Sequence, residues 1–438
     1  MKVFRTLIAT VFVLAGLTSF AQDSLRLEKV VVISRHGLRA PLETYYKDLE
    51  SLSPEGVSWD QWSKKGVKGS ELTPKGAALE NLFGEYFRLW FESIGFQLQA
   101  SEVYFGASSK QRTIATARSF AAGMLPMMMV PVYYKQNDKG GYGFLDENYL
   151  PLFNGQGPRE GVKFDTVAFQ KEARRELGEL KAPTYGFLEN VLQYDRSKRA
   201  KEKGSKHFNN DVKVQLDFYK QGDNNSIVKL EPVMLGDLNV ANRASDAFIL
   251  LYYEAPELLQ ASFGRDLSFE DMCQLADVKD QYGSILFTAP IIAVNISHCM
   301  LKNVYSEMQC NWHKFTFLCT HDSMIQALLA ALRVEDYKLD GTIEATTPIG
   351  FKFLLEEWVD PVTCDRYMNA RLLYQSSKQI QEMQVLDLTN PPMSFVLSFK
   401  GIEKAANGMY RYDDFMNHLG KTVSAYEATA KGRDPFAE

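Results

Sequence analysis

The sequence predicts an α/β fold: a large domain with a central mixed sheet flanked by helices, and a smaller, mostly helical domain inserted in it. Two observations predict this class. Strand and helix patterns alternate at both ends of the 438-residue chain, and the residues between them read as mainly helical. We assign residues 22–134 and 288–438 to the α/β domain and residues 135–287 to the insertion. This length is too great for one simple core and suits about two domains.

The first strand and helix patterns lie in the N-terminal part. Residues 25–33 begin as an alternating pattern and end in the apolar run VVVI, which is typical of a strand covered on both faces. In the segment GSELTPKGAALENLF, Thr73 is a candidate N-cap and Pro74 suits the first position of a helix. SEVYFGASS then reads as a strand and turn, and an Ala-rich helix begins near Gln111.

The sequence pattern changes between Tyr134 and Phe287. Turn-rich segments there precede charged helical stretches and the strongly apolar predicted helix NRASDAFILLYYEA. The α/β pattern then resumes. APIIAVNISHCMLKNVYS predicts a helix, KFTFLCTHDS a strand and turn, and MIQALLAALRV a helix. Further strands are predicted in TPIGFKFLLEEWV, RYMNARLLYQ and MSFVLSFKG.

The N-terminus has the pattern of a secretory signal. Lys2 and Arg5 precede an apolar run from Leu7 to Leu17, and small residues end at Ala21. No later segment has the roughly 18 uninterrupted apolar residues of a membrane span. We therefore expect a periplasmic or secreted protein, cleaved near Ala21 and without a membrane span.

Charge and cysteine content limit the possible partners. With 49 Lys and Arg against 54 Asp and Glu, the net charge of −5 makes nucleic acid a poor partner, so an anion must be bound by a local positive cluster. An oxidising compartment permits one or two disulfides, whose connectivity the sequence leaves open, as it does the oligomeric state. The cysteines are Cys273, Cys299, Cys310, Cys319 and Cys364.

Charged residues follow the predicted strands where each strand ends. Arg35, His36 and Arg39 come after the first strand, and His321 and Asp322 come after the strand in KFTFLCTHDS. Loops at the carboxyl ends of strands in open α/β sheets line one functional crevice. We therefore expect both groups to lie on one rim of the sheet.

A third strand end places Arg112 at the start of a helix, so that three guanidiniums, with Arg35 and Arg39, would form a donor array suited to phosphate. These cations should lower the pKa of His36, which leaves its imidazole a nucleophile in mild acid. A bound phosphate dianion should raise the pKa of Asp322, which then holds a proton for the leaving alkoxide. The pattern predicts nucleophile and acid in one pocket.

Each group alone has a plainer interpretation. Arg35-His36-Gly37 could be a polar turn, Arg112 a surface residue, and His321-Asp322 a helix N-cap. Their joint occurrence at three strand ends favours a site.

The chain resembles the histidine acid phosphatase family at these residues. RHGLRAP, residues 35–41, matches the family signature R-H-G-x-R-x-P in full, and residues 321–322 match its C-terminal H-D pair. LTPKG, QRTIATA and TPIG are also similar to family stretches. Among subfamilies the similarity is to bacterial periplasmic phytases and glucose-1-phosphatases.

The resemblance implies that His36 is the phosphorylated nucleophile and Asp322 the proton donor, with the substrate between the two domains. It also places Arg243 and Asp246 near the leaving alcohol. The implied phosphate pocket consists of Arg35, Arg39, Arg112 and His321.

One position departs from the family pattern. Met324 stands where bacterial members have Asn, and we expect it to remove a polar group at the pocket edge, which leaves substrate preference open. No H-x-H or H-E-x-x-H pattern occurs, so neither a catalytic metal nor a cofactor is predicted.

These features predict a secreted acid phosphomonoesterase that hydrolyses small phosphate esters, such as phytate or glucose 1-phosphate, through a phosphohistidine. Two alternatives remain. A non-catalytic phosphate-ester binding protein would need neither His36 nor Asp322. A phosphoglycerate-mutase-like phosphotransferase would share the R-H-G start, but such enzymes use a glutamate acid and are usually cytosolic.

Overall fold

A computed structural model describes residues 25–54, 59, 66–134, 162–216, 219–220, 228–229, 232–255 and 266–437. The predicted signal segment and residues 135–161 of the predicted insertion lie outside the described residues.

The described chain alternates between strands and helices at both ends. Its strands are β1 (Arg26–Arg35), β2 (Val103–Ala107), β3 (Val132–Tyr133), β4 (Lys213–Gln215), β5 (Tyr219–Lys220), β6 (Val228–Lys229), β7 (Val233–Leu235), β8 (Phe315–Thr320), β9 (Lys352–Val359), β10 (Arg366–Tyr374), β11 (Met393–Val396) and β12 (Tyr410–Arg411). Its α-helices are α1 (Tyr46–Leu52), α2 (Pro74–Ser93), α3 (Gln111–Met124), α4 (Thr166–Leu177), α5 (Gly186–Leu192), α6 (Lys198–Lys203), α7 (Asp237–Glu254), α8 (Phe269–Phe287), α9 (Pro290–Gln309), α10 (Asp322–Ala331), α11 (Ser377–Gln381), α12 (Tyr412–Ser424) and α13 (Tyr426–Thr429).

An eight-stranded sheet forms the centre of the described fold, in the order β11-β10-β9-β1-β8-β2-β3, with β12 paired to β10. β1, β8, β2 and β3 are parallel, whereas β9, β10 and β11 are antiparallel to their neighbours. The predicted fold class, a mixed sheet flanked by helices, is confirmed. The segment predicted to be mostly helical also contains two small sheets, β4 with β7 and β5 with β6.

β1 is buried on both faces. Val31 and Ile33 belong to a cluster with apolar residues of α9 and α10, and Val30 and Val32 belong to one with aromatic residues of α2 and α3. All four side chains are fully buried. The unbroken apolar run therefore reflects helices on both sides of the sheet.

The helices that follow the parallel strands begin where the sequence predicts. Thr73 caps α2, its Oγ1 accepting the Gly76 N–H at 3.0 Å, and Pro74 is the first helical residue. α3 begins at Gln111. The N-termini of α3 and α10 lie at the carboxyl ends of β2 and β8.

A second hydrophobic core joins α5, α7 and α8. It also includes Leu49 and Leu52 of α1, as well as Leu38 and Ala40. Residues before the predicted insertion thus contribute to the core of the helical part. The domain boundaries at 134 and 288 stay a prediction.

A buried ion pair connects α2 to β9 beneath the turn after β1. Lys352 Nζ lies 2.8 Å from Glu80 Oε2 and donates to the Gly350 carbonyl at 2.6 Å. A Cβ on Gly37 would lie 2.9 Å from Glu80 Cγ, so only glycine fits at this approach without displacement.

No disulfide joins any of the five cysteines in the structure. In the described part of the chain, no single helix is long and apolar enough to cross a membrane. α8 and α9 meet that test only as a pair, and the chain bends by 86° between them.

Candidate active site

The carboxyl ends of β1 and β8 bring the two predicted halves of the site together. The strands are parallel neighbours with Arg35 opposite Thr320, so the residues that follow, His36 and His321, lie side by side. Their ring centroids are 5.6 Å apart. Arg35 Nη2 lies 3.1 Å from Asp322 Oδ2. The segments are distant in sequence, and the strand pairing makes them adjacent.

The remaining predicted pocket residues reach the same place. Arg112, near the start of α3, donates from Nη2 to His321 Nδ1 at 3.3 Å. Arg39 Nη2 lies 3.0 Å from Asp246 Oδ2, which projects from α7. The helical part therefore contributes a buried carboxylate to the pocket.

Arg243 does not join this group. Its guanidinium pairs with Asp48 and lies 5.0 Å from the centre of the Tyr45 ring. Tyr45 is itself close enough to Arg39 and Asp246 for their charges to act on its hydroxyl. Arg243 therefore contacts the Tyr45 ring, and its predicted place near the leaving alcohol stays a prediction.

His36 is held as a free base with a defined tautomer. Its Nδ1 lies 2.9 Å from the Gly37 carbonyl oxygen, and because a carbonyl only accepts, Nδ1 carries the proton and Nε2 keeps the lone pair. Burial lowers the pKa of His36 well below the usual value, and the charges of Arg112, Arg39 and Arg35 lower it further. Nε2 is the atom available for attack on phosphorus.

His321 has the opposite tautomer. The Arg112 guanidinium can only donate, so Nδ1 of His321 accepts and Nε2 carries the proton, which it donates to Ser108 Oγ at 3.1 Å. Burial lowers the pKa of His321 well below its usual value, and Arg112 lowers it further. His321 is therefore neutral in mild acid.

Three buried donors in this pocket have no partner. The Nε–H groups of Arg35, Arg39 and Arg112 make no hydrogen bond within the described structure. An unsatisfied buried donor is costly, and a donor on a cation favours a charged acceptor. Together they suit an anion with several oxygens, such as a phosphate ester.

The family model for the histidine phosphatase superfamily, branch 2, matches residues 26–352 of this chain. The chain belongs to that superfamily. A glucose-1-phosphatase of Providencia rettgeri is 32% identical over 92% of this chain and 93% of its own length. One of Salmonella typhimurium is 30% identical over 91% and 94%. The predicted family and the predicted enzyme class, a histidine-type phosphatase, are confirmed.

A solved structure of Hafnia alvei phytase in complex with tartrate has the same fold. Its TM-score is 0.75 at 20% identity, and the match covers 91% of this chain and 97% of that one.

The charges around Asp322 in this histidine phosphatase favour its ionised form. Burial alone would raise the pKa of Asp322, but the Arg35 guanidinium and the Lys279 ammonium outweigh it and hold that pKa well below the usual range. In the site as it stands, Asp322 is a carboxylate. The expectation that it holds a proton therefore requires a bound anion that offsets these cations.

Two charged residues of the pocket had no sequence signal. Lys279 on α8 lies 3.1 Å from Asp322 Oδ2, and Glu344 lies 2.7 Å from Arg35 Nη1. Each is a single charge without a motif, and only the fold brings it to the strand ends. The spacing of charges on α8 would not have distinguished Lys279 from a surface lysine.

Met324 packs in the hydrophobic core. Its side chain is fully buried among apolar residues of α9 and α10, on the core side of α10.

Potential metal ligands cluster elsewhere in the described residues. The groups are Glu307 with Cys310 and His313, and Glu172 with Glu176 and Asp434. The first group precedes β8, at the end of that strand opposite His321. Neither group includes a residue of the arginine pocket.

Proposed function

We propose that this histidine phosphatase is an exported acid phosphomonoesterase that hydrolyses small phosphate esters through a phosphohistidine on His36. The observation that carries the proposal is the set of three unpaired Nε–H groups of Arg35, Arg39 and Arg112 around an unprotonated imidazole. A pocket that only bound phosphate would need neither a buried free base nor the carboxyl group beside it.

The reaction proceeds in two displacements. The arginines bind the phosphoryl oxygens, and His36 Nε2 attacks phosphorus as the ester P–O bond breaks. Asp322 gives its proton to the leaving oxygen, which departs as a neutral alcohol. Water then attacks phosphohistidine, Asp322 takes the water proton, and phosphate leaves. Positioning and charge neutralisation by the arginines supply the remaining catalysis.

The charges predict a preference for mild acid. A phosphate dianion against Arg35 opposes the cations that keep Asp322 ionised, so binding raises the pKa of Asp322. As pH rises through that bound-state pKa, the acid loses its proton and turnover falls. His36 remains a base because its pKa lies well below the usual value. We therefore expect activity at pH values between the pKa of His36 and the pKa of Asp322 in the phosphate-bound site.

Glucose 1-phosphate is the first substrate to consider, since the two relatives reported above are glucose-1-phosphatases at 30% and 32% identity. Phytate is the second, because the pocket holds an excess of cations. The N-terminal pattern of residues 1–21 supports export to the periplasm or medium, and the substrate would lie between the sheet ends and the helical segment.

The proposal is tested by phosphate release from glucose 1-phosphate, phytate and p-nitrophenyl phosphate across acidic and neutral pH, with and without a chelator. We expect chelator-resistant activity in mild acid. His36→Ala should lower turnover at least about 10³-fold on every ester because it removes the nucleophile. His207→Ala, at a highly exposed histidine, is the matched control.

An alkaline quench during turnover should trap labelled phosphate on the wild-type protein and none on His36→Ala. Phosphate binding without release would support a binding protein instead. Transfer between esters without hydrolysis would support a phosphotransferase, and activity lost with the chelator would contradict the mechanism.

A further inference from the structure

Lys279 brings a fourth cation into the site from the helical part of the chain. Its side chain is 12% exposed, and its Nζ lies 3.1 Å from Asp322 Oδ2 and 3.0 Å from Glu344 Oε1. The next residue, Asp280, accepts the Ala345 N–H at 2.8 Å. α8 therefore contacts both Asp322 and the loop that contains Glu344 and Ala345.

Glu344 keeps Lys279 in place and charged. Its carboxylate also accepts hydrogen bonds from Arg35 Nη1 and the Ile349 N–H, so with Lys279 it has three donors. Burial raises the pKa of Glu344, but Arg35 and Lys279 outweigh it and lower that pKa. Burial and Arg35 lower the pKa of Lys279, whereas Glu344 and Asp322 reverse this, so the ammonium persists.

The surroundings of Asp322 are mostly cationic. Three residues near Asp322 belong to β1 and the turn after it, namely Arg35, His36 and Arg39, and His36 is neutral. From other elements come Arg112, His321, Asp246, Glu344 and Lys279. Of these, Arg35 and Lys279 contact the carboxylate directly, both at Oδ2. Arg35 also faces the proposed phosphate, whereas Lys279 is held by Glu344.

We propose that Lys279 is a positioning residue that orients the Asp322 carboxyl and stabilises the carboxylate left by each proton transfer to the leaving alcohol. This inference rests on the proposed role of Asp322 as general acid. When the ester bond breaks, the proton passes from Asp322 to the alcohol oxygen, and the negative charge that remains lies between Lys279 and Arg35. The same contact favours the carboxylate that takes a proton from water in the second step.

The pH profile of turnover tests the role. In the enzyme–substrate complex, Lys279 favours the ionised acid, so the alkaline limb of kcat lies at lower pH than it would without the lysine. Lys279→Met should move that limb up by about one pH unit or more for glucose 1-phosphate, as expected for loss of one adjacent cation. The limb for p-nitrophenyl phosphate should not move, because its leaving group needs no proton.

Two matched variants separate charge from structure. Lys279→Arg keeps the cation and should keep the limb near its wild-type position. Asp280→Asn weakens the other contact between α8 and the loop at residues 345–346 without touching Asp322, and should leave the limb in place. If Lys279→Met does not fold, Lys279→Gln is measured in the same way.

A uniform loss on both esters with an unmoved limb would show that Lys279 is only structural and would overturn the inference. Phosphohistidine trapping on the wild type would still support the proposed function in that case. Absence of the trapped intermediate would instead contradict the function on which the inference rests.

Discussion

His36 and Asp322 share a pocket but are surrounded differently. His36 is a buried base facing three guanidiniums, which disfavour a second positive charge on its ring. Asp322 contacts Arg35 and Lys279, which favour its negative charge. These charges favour the forms of both residues that accept protons. In the proposed mechanism, the charge of a phosphate dianion raises the pKa of Asp322 so that it takes up a proton.

Replacement of Asp322 by alanine should affect esters according to their leaving groups. We expect kcat on glucose 1-phosphate to fall about 10² to 10⁴-fold, the usual loss for a general acid, whereas p-nitrophenyl phosphate should lose far less. Steady-state rates at the pH optimum measure both. Asp195→Ala, at an exposed aspartate, is the control. Equal losses on the two esters would exclude Asp322 as the acid.

The sequence predicted which residues meet at the strand ends because most of them follow strands in recognisable patterns. Arg35, His36 and Arg39 come from one heptapeptide, whereas Lys279 and Glu344 stand alone in a helix and a loop. The ionisation of Asp322 could not be predicted either. It depends on two contacts of 3.1 Å made by residues from other elements.

At the scale of elements, local signals predicted the starts of helices. Thr73 and Pro74 carry cap chemistry that acts within one turn, so α2 begins where the sequence indicates. The local sequence did not show which face of α10 packs against the core. Met324 follows Asp322 by only two positions, yet it packs in the apolar core between α10 and α9.

The buried pair between α2 and β9 should matter most to stability. Lys352→Met leaves Glu80 buried without its partner, so we expect the free energy of unfolding to fall by about 3–5 kcal/mol. Urea denaturation measures this. The double variant Glu80→Met with Lys352→Met should lose less than Lys352→Met, because it leaves no unpaired charge.

The deficit of Lys352→Met should grow with pH. Burial already raises the pKa of Glu80, and loss of the ammonium raises it further. A carboxyl whose folded pKa lies above its unfolded pKa loses stability as pH rises through the folded value. Unfolding at about pH 7 should therefore show a larger loss than at about pH 4.5. A pH-independent deficit would mean that packing, not charge, dominates.

At the scale of the whole molecule, the site is shared between the sheet and the helical segment. The strand ends provide the arginines proposed to bind phosphate, while α7 provides Asp246 and α8 provides Lys279. The predicted alternation of strands and helices gave the correct fold class. The sequence did not predict that the two parts share the site. Their packing crosses the predicted boundary, because α1 and the residues after β1 also belong to the second core.

The fold contains no disulfide among its five cysteines. We expect the midpoint of thermal unfolding to be unchanged by a reductant, and five thiols to react in denaturant without prior reduction. Buried Cys319, whose thiol pKa is raised by burial, should react only after unfolding. Fewer than five reactive thiols in the unreduced, denatured protein would reveal a disulfide.

The position of β1 in the sheet has a consequence for biogenesis. β1 pairs with β8 on one edge and β9 on the other, and both partners are translated long after it. The nascent chain therefore carries the unpaired apolar run VVVI until residues 315–359 have emerged. Pairing of such distant segments is slow and exposes aggregation-prone surface, so folding intermediates of this protein are natural clients for chaperones.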